Sequence, residues 1–463
     1  MSKKNIKNYH FLLLIGGFWV FCLCISCNNS SSNTPVTSSV AQLTAMRFMP
    51  QDSFPGLAKA TFRIDEGLDT GRVYNMDSIL YGTRIDKVIP SFTYGATPGS
   101  VSVRLSNPDT TVYLKGADTI DFTRQPIYMS ITSSDGTNTK VYTINVTVHT
   151  KDPDKFTWKQ LTPQIYTPDP DGSEQQAFFL DNRLCLMVNN GFSNYYYTST
   201  DGEHWDGPTM PNGLPENCNV RAILADTTTG EAYYVDGNTL YIASTPDQWE
   251  AILQEGDFTP ITMLMSFNKQ IWAIVKDTED QLRLAFLGDD NQLVIAAYLD
   301  PLPEDFPISS FAATCFNRTG LLERATIIGG FSQAGKSLNS RWNIEYSEAS
   351  GYRIKNFSIE KPVFTSLTGA GLVWYGNALF LFGGVDDKVH FQQPILVSVD
   401  EGMNWVVPDT SKNMLPPSYQ MRQKQSVFVY NNNIYLIGGS YLTTTFADVY
   451  CGRLTSIDWP KRD

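Results

Sequence analysis

Ile327-Ile328-Gly329-Gly330, Phe380-Leu381-Phe382-Gly383-Gly384 and Tyr435-Leu436-Ile437-Gly438-Gly439 are three apolar runs, each ending in a glycine pair. Gly330 and Gly384 are 54 residues apart, and Gly384 and Gly439 are 55 apart. Strand-like apolar runs at such a period indicate radially repeated four-stranded units, the arrangement of a β-propeller. Second-strand candidates begin near Leu184, Ala232, Ile271, Ala325, Leu379 and Ile434. Third-strand candidates are Tyr195-Tyr196-Tyr197, Leu240-Tyr241-Ile242, Leu282-Arg283-Leu284, Trp342-Asn343-Ile344, Ile395-Leu396-Val397 and Val449-Tyr450-Cys451. Both series give six repeats over residues 156–463, about 51 residues each. The last repeat has no room for an outer strand. Phe156-Thr157-Trp158-Lys159-Gln160-Leu161, ahead of the first repeat, has the pattern of one. It is expected to complete the last blade and remove an exposed edge.

The turns after the third strands carry a second pattern. Ser398-Val399-Asp400-Glu401-Gly402-Met403-Asn404-Trp405 resembles the Asp-box, S-x-D-x-G-x-x-W. Ser199-Thr200-Asp201-Gly202-Glu203-His204-Trp205 is one residue shorter, and Ser244-Thr245-Pro246-Asp247-Gln248-Trp249 is degenerate. The chemistry of such a turn is structural. Ser199, Asp201, Ser398 and Asp400 bind turn amides, Gly202 and Gly402 supply positive φ, and Trp205 and Trp405 pack between sheets. Asn431-Asn432-Asn433-Ile434-Tyr435-Leu436-Ile437-Gly438-Gly439 resembles a kelch strand with its preceding turn. Residues 156–463 therefore resemble a six-bladed kelch/Asp-box-like β-propeller.

Residues 41–150 form a separate all-β unit in this reading. Tyr142, Ile144, Val146 and Val148 alternate with polar residues, Ile127-Tyr128-Met129-Ser130-Ile131 runs opposite, and Ser134-Asp135-Gly136-Thr137 is the turn. Val101–Leu105 and Thr111–Leu114 add short strands. Their spacing fits an immunoglobulin-like β-sandwich. Asp121-Phe122-Thr123 followed by Pro126, the Asp135-Gly136-Thr137 turn and the strand from Tyr142 resemble the Ig-like modules at the N-termini of Bacteroidetes lipoproteins, a resemblance that implies a spacer. Lys151-Asp152-Pro153-Asp154-Lys155 reads as a linker.

The first 26 residues read as an address. Lys3, Lys4 and Lys7 precede an apolar stretch from Phe11 to Ser26, too short to span a bilayer. Cys24-Ile25-Ser26-Cys27 resembles a bacterial lipobox, with Cys24 where Leu is usual. The resemblance implies a signal peptide over 1–26, acylation at Cys27, a polar tether over 27–40, and an outer-membrane lipoprotein facing the cell surface or the periplasm. An ordinary signal peptide is the alternative. The membrane is then met through the lipid anchor only. Without the three leader lysines, 32 basic residues stand against 47 acidic ones. That balance excludes nucleic acid as the main partner.

Catalytic signatures are scarce. Cys185, Cys218, Cys315 and Cys451 are far apart, with no C-x-x-C pair, and are expected as buried small apolar residues. His149, His204 and His390 have no partner histidine at ligand spacing, so no metal and no cofactor are expected. Thr167-Pro168-Asp169-Pro170-Asp171-Gly172 clusters oxygen ligands, but its two prolines suit a turn. A sialidase-like glycoside hydrolase, the other function that the Asp-box resemblance implies, would need an Arg-Ile-Pro motif. The nearest match, Tyr352-Arg353-Ile354-Lys355, lacks the proline. What remains is a loop surface: Asn190, Phe192 and Asn194; Gln333 and Lys336; Asp386, Asp387, Lys388 and His390; and Tyr441. Aromatics mixed with amides and carboxylates suit a glycan or an extracellular protein, and solvated loops explain each residue as well. Three readings stay open: a noncatalytic binding module, a hydrolase without located catalytic residues, and a structural partner in an envelope complex.

Overall fold

The computed structural model describes residues 37–458 apart from 53–55, 107–108, 114–117, 170–172, 318–321 and 358–364. The leader, Cys27 and most of the tether lie outside the described residues, as do Trp459 and part of the 167–172 cluster. The chain forms two compact units, residues 1–149 and 150–463. Among the described residues, no helix is long and apolar enough to cross a membrane.

In the first unit the strand order is Phe62–Asp65, Thr70–Asn75, Thr139–Asn145, Ile127–Thr132, Ser100–Ser106, Asp109–Tyr113. The pair Thr70–Asn75 and Thr139–Asn145 is parallel and the others are antiparallel. Leu43–Phe48 and Pro90–Tyr94 form a separate two-stranded ribbon. The alternation in the sequence does what period two requires: Tyr142, Ile144 and Val146 are buried on one face, opposite Met129 and Ile127. Leu43, Met46 and Phe48 of the ribbon enter the same core. In the hairpin turn, Asp135 accepts from Ser133 Oγ, Thr137 N and Thr137 Oγ1 at 2.6–2.9 Å, and Gly136 takes a φ of 72°.

Among the described residues, besides a two-stranded ribbon of Ser440–Tyr441 and Thr444–Thr445, the second unit holds six antiparallel sheets of three or four strands. Their second strands are Arg183–Asn189, Glu231–Asp236, Gln270–Asp277, Glu323–Ile328, Ala378–Phe382 and Asn433–Ile437. Their third strands are Asn194–Ser199, Thr239–Thr245, Leu282–Leu287, Arg341–Ser347, Ile395–Ser398 and Val449–Leu454, so every candidate strand read from the sequence falls in register. The second strands read as unbroken apolar runs because both of their faces are covered. Six hydrophobic clusters lie one between each pair of neighbouring sheets. One cluster joins the sixth to the first through Tyr435, Ile437 and Val449 against Ala177, Leu184 and Leu186. The first strands abut in the same cyclic order.

Phe156–Thr162 is the fourth strand of the sixth sheet, paired antiparallel with Val449–Leu454. Both ends of the unit thus meet in one sheet, as the sequence leads one to expect. Gly452 is glycine because the indole of Trp158 lies where its Cβ would project. The expected linker, 151–155, is bound into this unit: Lys412 Nζ reaches Asp152 at 3.4 Å and Asp154 at 3.2 Å, and Lys155 O accepts from Thr455 N.

The glycine pairs have a second cause beyond ending strands. A Cβ at Gly329 would fall inside 3.0 Å of Leu367 O, one at Gly383 inside 3.0 Å of Arg422 O, and one at Gly438 2.6 Å from the Gln175 amide carbon. In each case the obstacle belongs to the chain entering the next sheet. The glycine period therefore marks the spacing between sheets, with φ values of 60–64° that only glycine adopts cheaply.

The Ser-x-Asp turns at the opposite end of the sheets are framework. Asp201 Oδ1 accepts from Glu203 N and His204 N at 2.8 Å each, and Ser199 Oγ accepts from Gly202 N at 2.8 Å. Asp400 Oδ1 accepts from Ser398 Oγ at 2.7 Å and Asn404 N at 2.8 Å. The backbone amide of His204, then its ring, hold the Asp201 carboxyl below the ordinary carboxylate value. Burial pushes the Asp400 carboxyl up, and the bonds from Asn404 and Ser398 outweigh it, so it too lies low. Trp205, Trp249 and Trp405 each pack into an inter-sheet cluster. Cys185, Cys218, Cys315 and Cys451 are free thiols, the first two buried.

Candidate functional site

Antiparallel alternation places the start of each first strand beside the end of each second strand, as in Glu174 opposite Asn189 and Ser426 opposite Ile437. At that end, residues two positions ahead of three successive first strands are left-handed: Ser310 (φ 52°), Gly369 (φ 65°) and Lys424 (φ 58°). They are linked in sequence, Gly369 N donating to Ser310 O at 3.1 Å and Lys424 N to Gly369 O at 2.7 Å. Two of the three are not glycine, so the conformation costs about 1 kcal/mol at each and is held by these bonds.

At the junction of the sixth and first sheets, side chains take over from the backbone. Lys424 Nζ lies 2.6 Å from Glu174 Oε1. Arg221, on the segment leading into the second sheet, donates through Nη1 to Gln175 O at 3.1 Å and to Lys424 O. Burial lowers the Arg221 guanidinium to about 10, partly offset by Glu174. Charged groups thus converge where the ring of sheets is joined.

Beside this joint lies a cavity of about 450 Å³, lined by Ser173, Glu174, Gln175, Asn189, Gly191, Lys424, Gly439, Ser440, Leu442, Thr443 and Thr445. Its polar walls are fixed from behind. Gln175 Nε2 donates to Phe446 O at 2.6 Å, and Asn189 Nδ2 donates to Asn194 Oδ1 at 2.7 Å and Glu216 O at 3.0 Å. Below it, Arg422 is 1% exposed and pairs with Asp448 at 2.5 Å, with its guanidinium between the rings of Tyr419 and Phe446. Arg422 Nη1 also donates to Gly438 O at 3.0 Å, so this buried pair sets the glycine loop that forms the cavity wall.

The loop residues picked from the sequence separate into two groups. Asn194 is buried, and its amide donates to Pro215 O at 2.7 Å, so it builds the loop instead of facing a ligand. Asn190 Oδ1 caps the amides of Phe192 and Ser193, and Asp386 Oδ1 caps those of Lys388 and His390. Asp386 Oδ2 also meets His390 Nδ1 at 3.0 Å, and its carboxyl is held low, first by the His390 amide. Phe192, Gln333, Lys336, Asp387 and Lys388 are exposed. Tyr441 packs against Phe391 with the rings tilted by 37° and their centroids 4.6 Å apart, which joins the loops of the fifth and sixth sheets beside the cavity residue Leu442. Sequence reasoning missed Glu174, Gln175, Arg221 and Lys424. Their only signal was position: Glu174 and Gln175 open a first strand, Lys424 lies two residues ahead of one and Arg221 three, and no motif marks it. Among the described residues, no group of three or more His, Cys, Asp or Glu could hold a metal ion.

Two family models match this architecture. The DUF6242 beta propeller domain covers residues 152–462, and the domain of unknown function (DUF6242) N-terminal domain covers residues 34–146. The chain belongs to the DUF6242 family. Its second unit is a β-propeller. No curated protein matches this DUF6242 chain significantly. A solved structure titled "Structure of YjhT" is similar over 62% of this chain and 96% of that one, at 11% identity and a TM-score of 0.43, which carries no argument about function.

Proposed function

We propose that this DUF6242 chain is a lipid-anchored envelope protein, acylated at Cys27 and held at the outer membrane. Its six-bladed kelch/Asp-box-like propeller binds a glycan or an extracellular protein without turning it over, and its Ig-like N-terminal unit serves as a spacer. The observation that carries the binding reading is the cavity at the junction of the first and sixth sheets. Its volume falls in the ~300–1,000 Å³ range of small-molecule sites, and hydroxyls, amides and one ion pair line it. Glycoside hydrolysis ordinarily needs two carboxyl groups flanking the bond. Among the described residues, Glu174 is the one carboxylate in the lining, and Lys424 engages it.

A protein partner is the second reading, and a specific observation favours it. Among the described residues, the fifth sheet has three strands and a single bridge from Val397 to Val406, and Val399, Met403, Val406, Val407 and Met414, which follow its third strand in sequence, are exposed. A glycan array probed with the mature chain carrying Cys27→Ser, with product analysis of every hit, tests the function. Saturable binding without product supports the binding module, cleavage overturns it, and silence transfers the weight to a protein partner. Loss of metabolic acyl labelling in Cys27→Ser tests the anchor.

A further inference from the structure

The Glu174–Lys424 pair is more than a joint in the ring of sheets. Its two side chains are 47% and 41% exposed, and both line the cavity. An ammonium group has three donors and a carboxylate has two acceptor oxygens. One donor and one oxygen meet each other at 2.6 Å, which leaves two donors and an oxygen side by side at the cavity surface. That is the complement of two adjacent hydroxyls, one donating to the carboxylate and the next accepting from the ammonium. Such a pair carries no net charge, so a charged ligand gains nothing from it unless the pair is broken. Arg221 adds a buried positive charge that Glu174 also feels, but it does not line the cavity, and its Nη1 is directed at the carbonyl oxygens of Gln175 and Lys424. The chain's formal charge of −12 also disfavours anions at long range.

The remaining walls agree. Ser173, Ser440, Thr443 and Thr445 offer hydroxyls that both donate and accept, and Gln175 and Asn189 are immobilised by bonds to the fold. Leu442, 62% exposed, and the tilted Phe391–Tyr441 ring pair give the rim an apolar side on which a C–H face can rest. The left-handed backbone of Lys424 is held at its N–H by Gly369 O and at its carbonyl by Arg221, and Glu174 holds its ammonium, so the donor is positioned before a ligand arrives. We infer that this cavity binds one ring of a neutral sugar, gripping a vicinal diol between Glu174 and Lys424. The inference rests on the glycan-binding reading above and names its ligand class and its site.

The test is saturation-transfer NMR and calorimetry on the mature chain carrying Cys27→Ser. The probes are the methyl glycosides of glucose, galactose and mannose, N-acetylglucosamine, and methyl glucuronide, which differs from the glucoside by one carboxylate. The expected result is saturable binding of at least one neutral probe, with the glucuronide at least tenfold weaker. Glu174→Gln and Lys424→Gln should each weaken the neutral probe at least tenfold, while Lys424→Arg, which keeps the pair, stays within about threefold and verifies a folded chain. Equal or tighter binding of the glucuronide overturns the inference. So does neutral binding that neither Gln variant changes, which leaves the glycan reading intact at another site. If no probe binds but the array yields a hit, the inference falls alone, and if both are silent, the glycan reading falls with it.

Discussion

Gly383→Ala and Gly335→Ala form a matched pair that tests whether the glycine repeat is a spacing device. Both glycines are left-handed, at φ 60° and 73°, so each substitution pays about 1–2 kcal/mol for placing a Cβ in that region. Both also gain the same unfolded-state stabilisation of about 0.4–1 kcal/mol, which cancels in the difference. Nothing lies within 4 Å of a Cβ at Gly335. At Gly383 the methyl would fall inside 3.0 Å of Arg422 O and 3.1 Å from Gln425 Nε2. The chain entering the sixth sheet must then move. That shift breaks the bond from Gly384 N to Arg422 O, 3.1 Å, worth about 1 kcal/mol net, and adds about 1–3 kcal/mol of overpacking. The expected gap is about 2–4 kcal/mol, with Gly383→Ala the less stable. Urea unfolding followed by tryptophan emission reads this unit alone, because residues 37–149 contain no tryptophan. Midpoints that translate to within about 0.5 kcal/mol of each other would refute the spacing argument.

Arg422→Ala should cost about 3–5 kcal/mol by leaving Asp448 buried without its partner, and Arg422→Met with Asp448→Leu should recover most of it in the same unfolding assay. The Asp386 and Asp201 carboxyls lie below their ordinary value in the folded chain, so they add stability above about pH 4 that is lost as pH falls through the folded values; Asp386→Asn should make the acid limb of the stability–pH curve shallower. His204 is raised above 6.5 by its bond to Asp201, so its contribution is present below 6.5 and disappears as pH rises through the folded value; Asp201→Asn should remove that slope, which titration of the His204 ring by NMR reports directly. Removing residues 37–162 strips the sixth sheet of its fourth strand and bares the edge of Val449–Leu454, so the shortened chain should aggregate where a chain beginning at residue 150 unfolds cooperatively.

The strand repeat, and the pairing of Phe156–Thr162 with Val449–Leu454, were legible because they rest on local rules. A strand covered on both faces must be apolar throughout, a sharp exit must be glycine, and a missing fourth strand must be supplied from the other terminus. Ser398-x-Asp400 and Ser199-x-Asp201 were legible for the same reason, since their bonds stay within five residues. The loop residues were less so. Asn194 and Asp386 carry ligand-like side chains, yet the fold had already spent them, and sequence cannot show whether a polar group has found a partner.

The amino-acid order alone determined strand identity and the positions of the tight turns, because each is dictated by side-chain alternation and backbone conformation over a few residues. Only the tertiary structure decided the site. Glu174 and Lys424 are 250 residues apart, and Arg221 lies between them in sequence. They meet because the last sheet packs against the first, and electrostatics acts through distance in space, not along the chain.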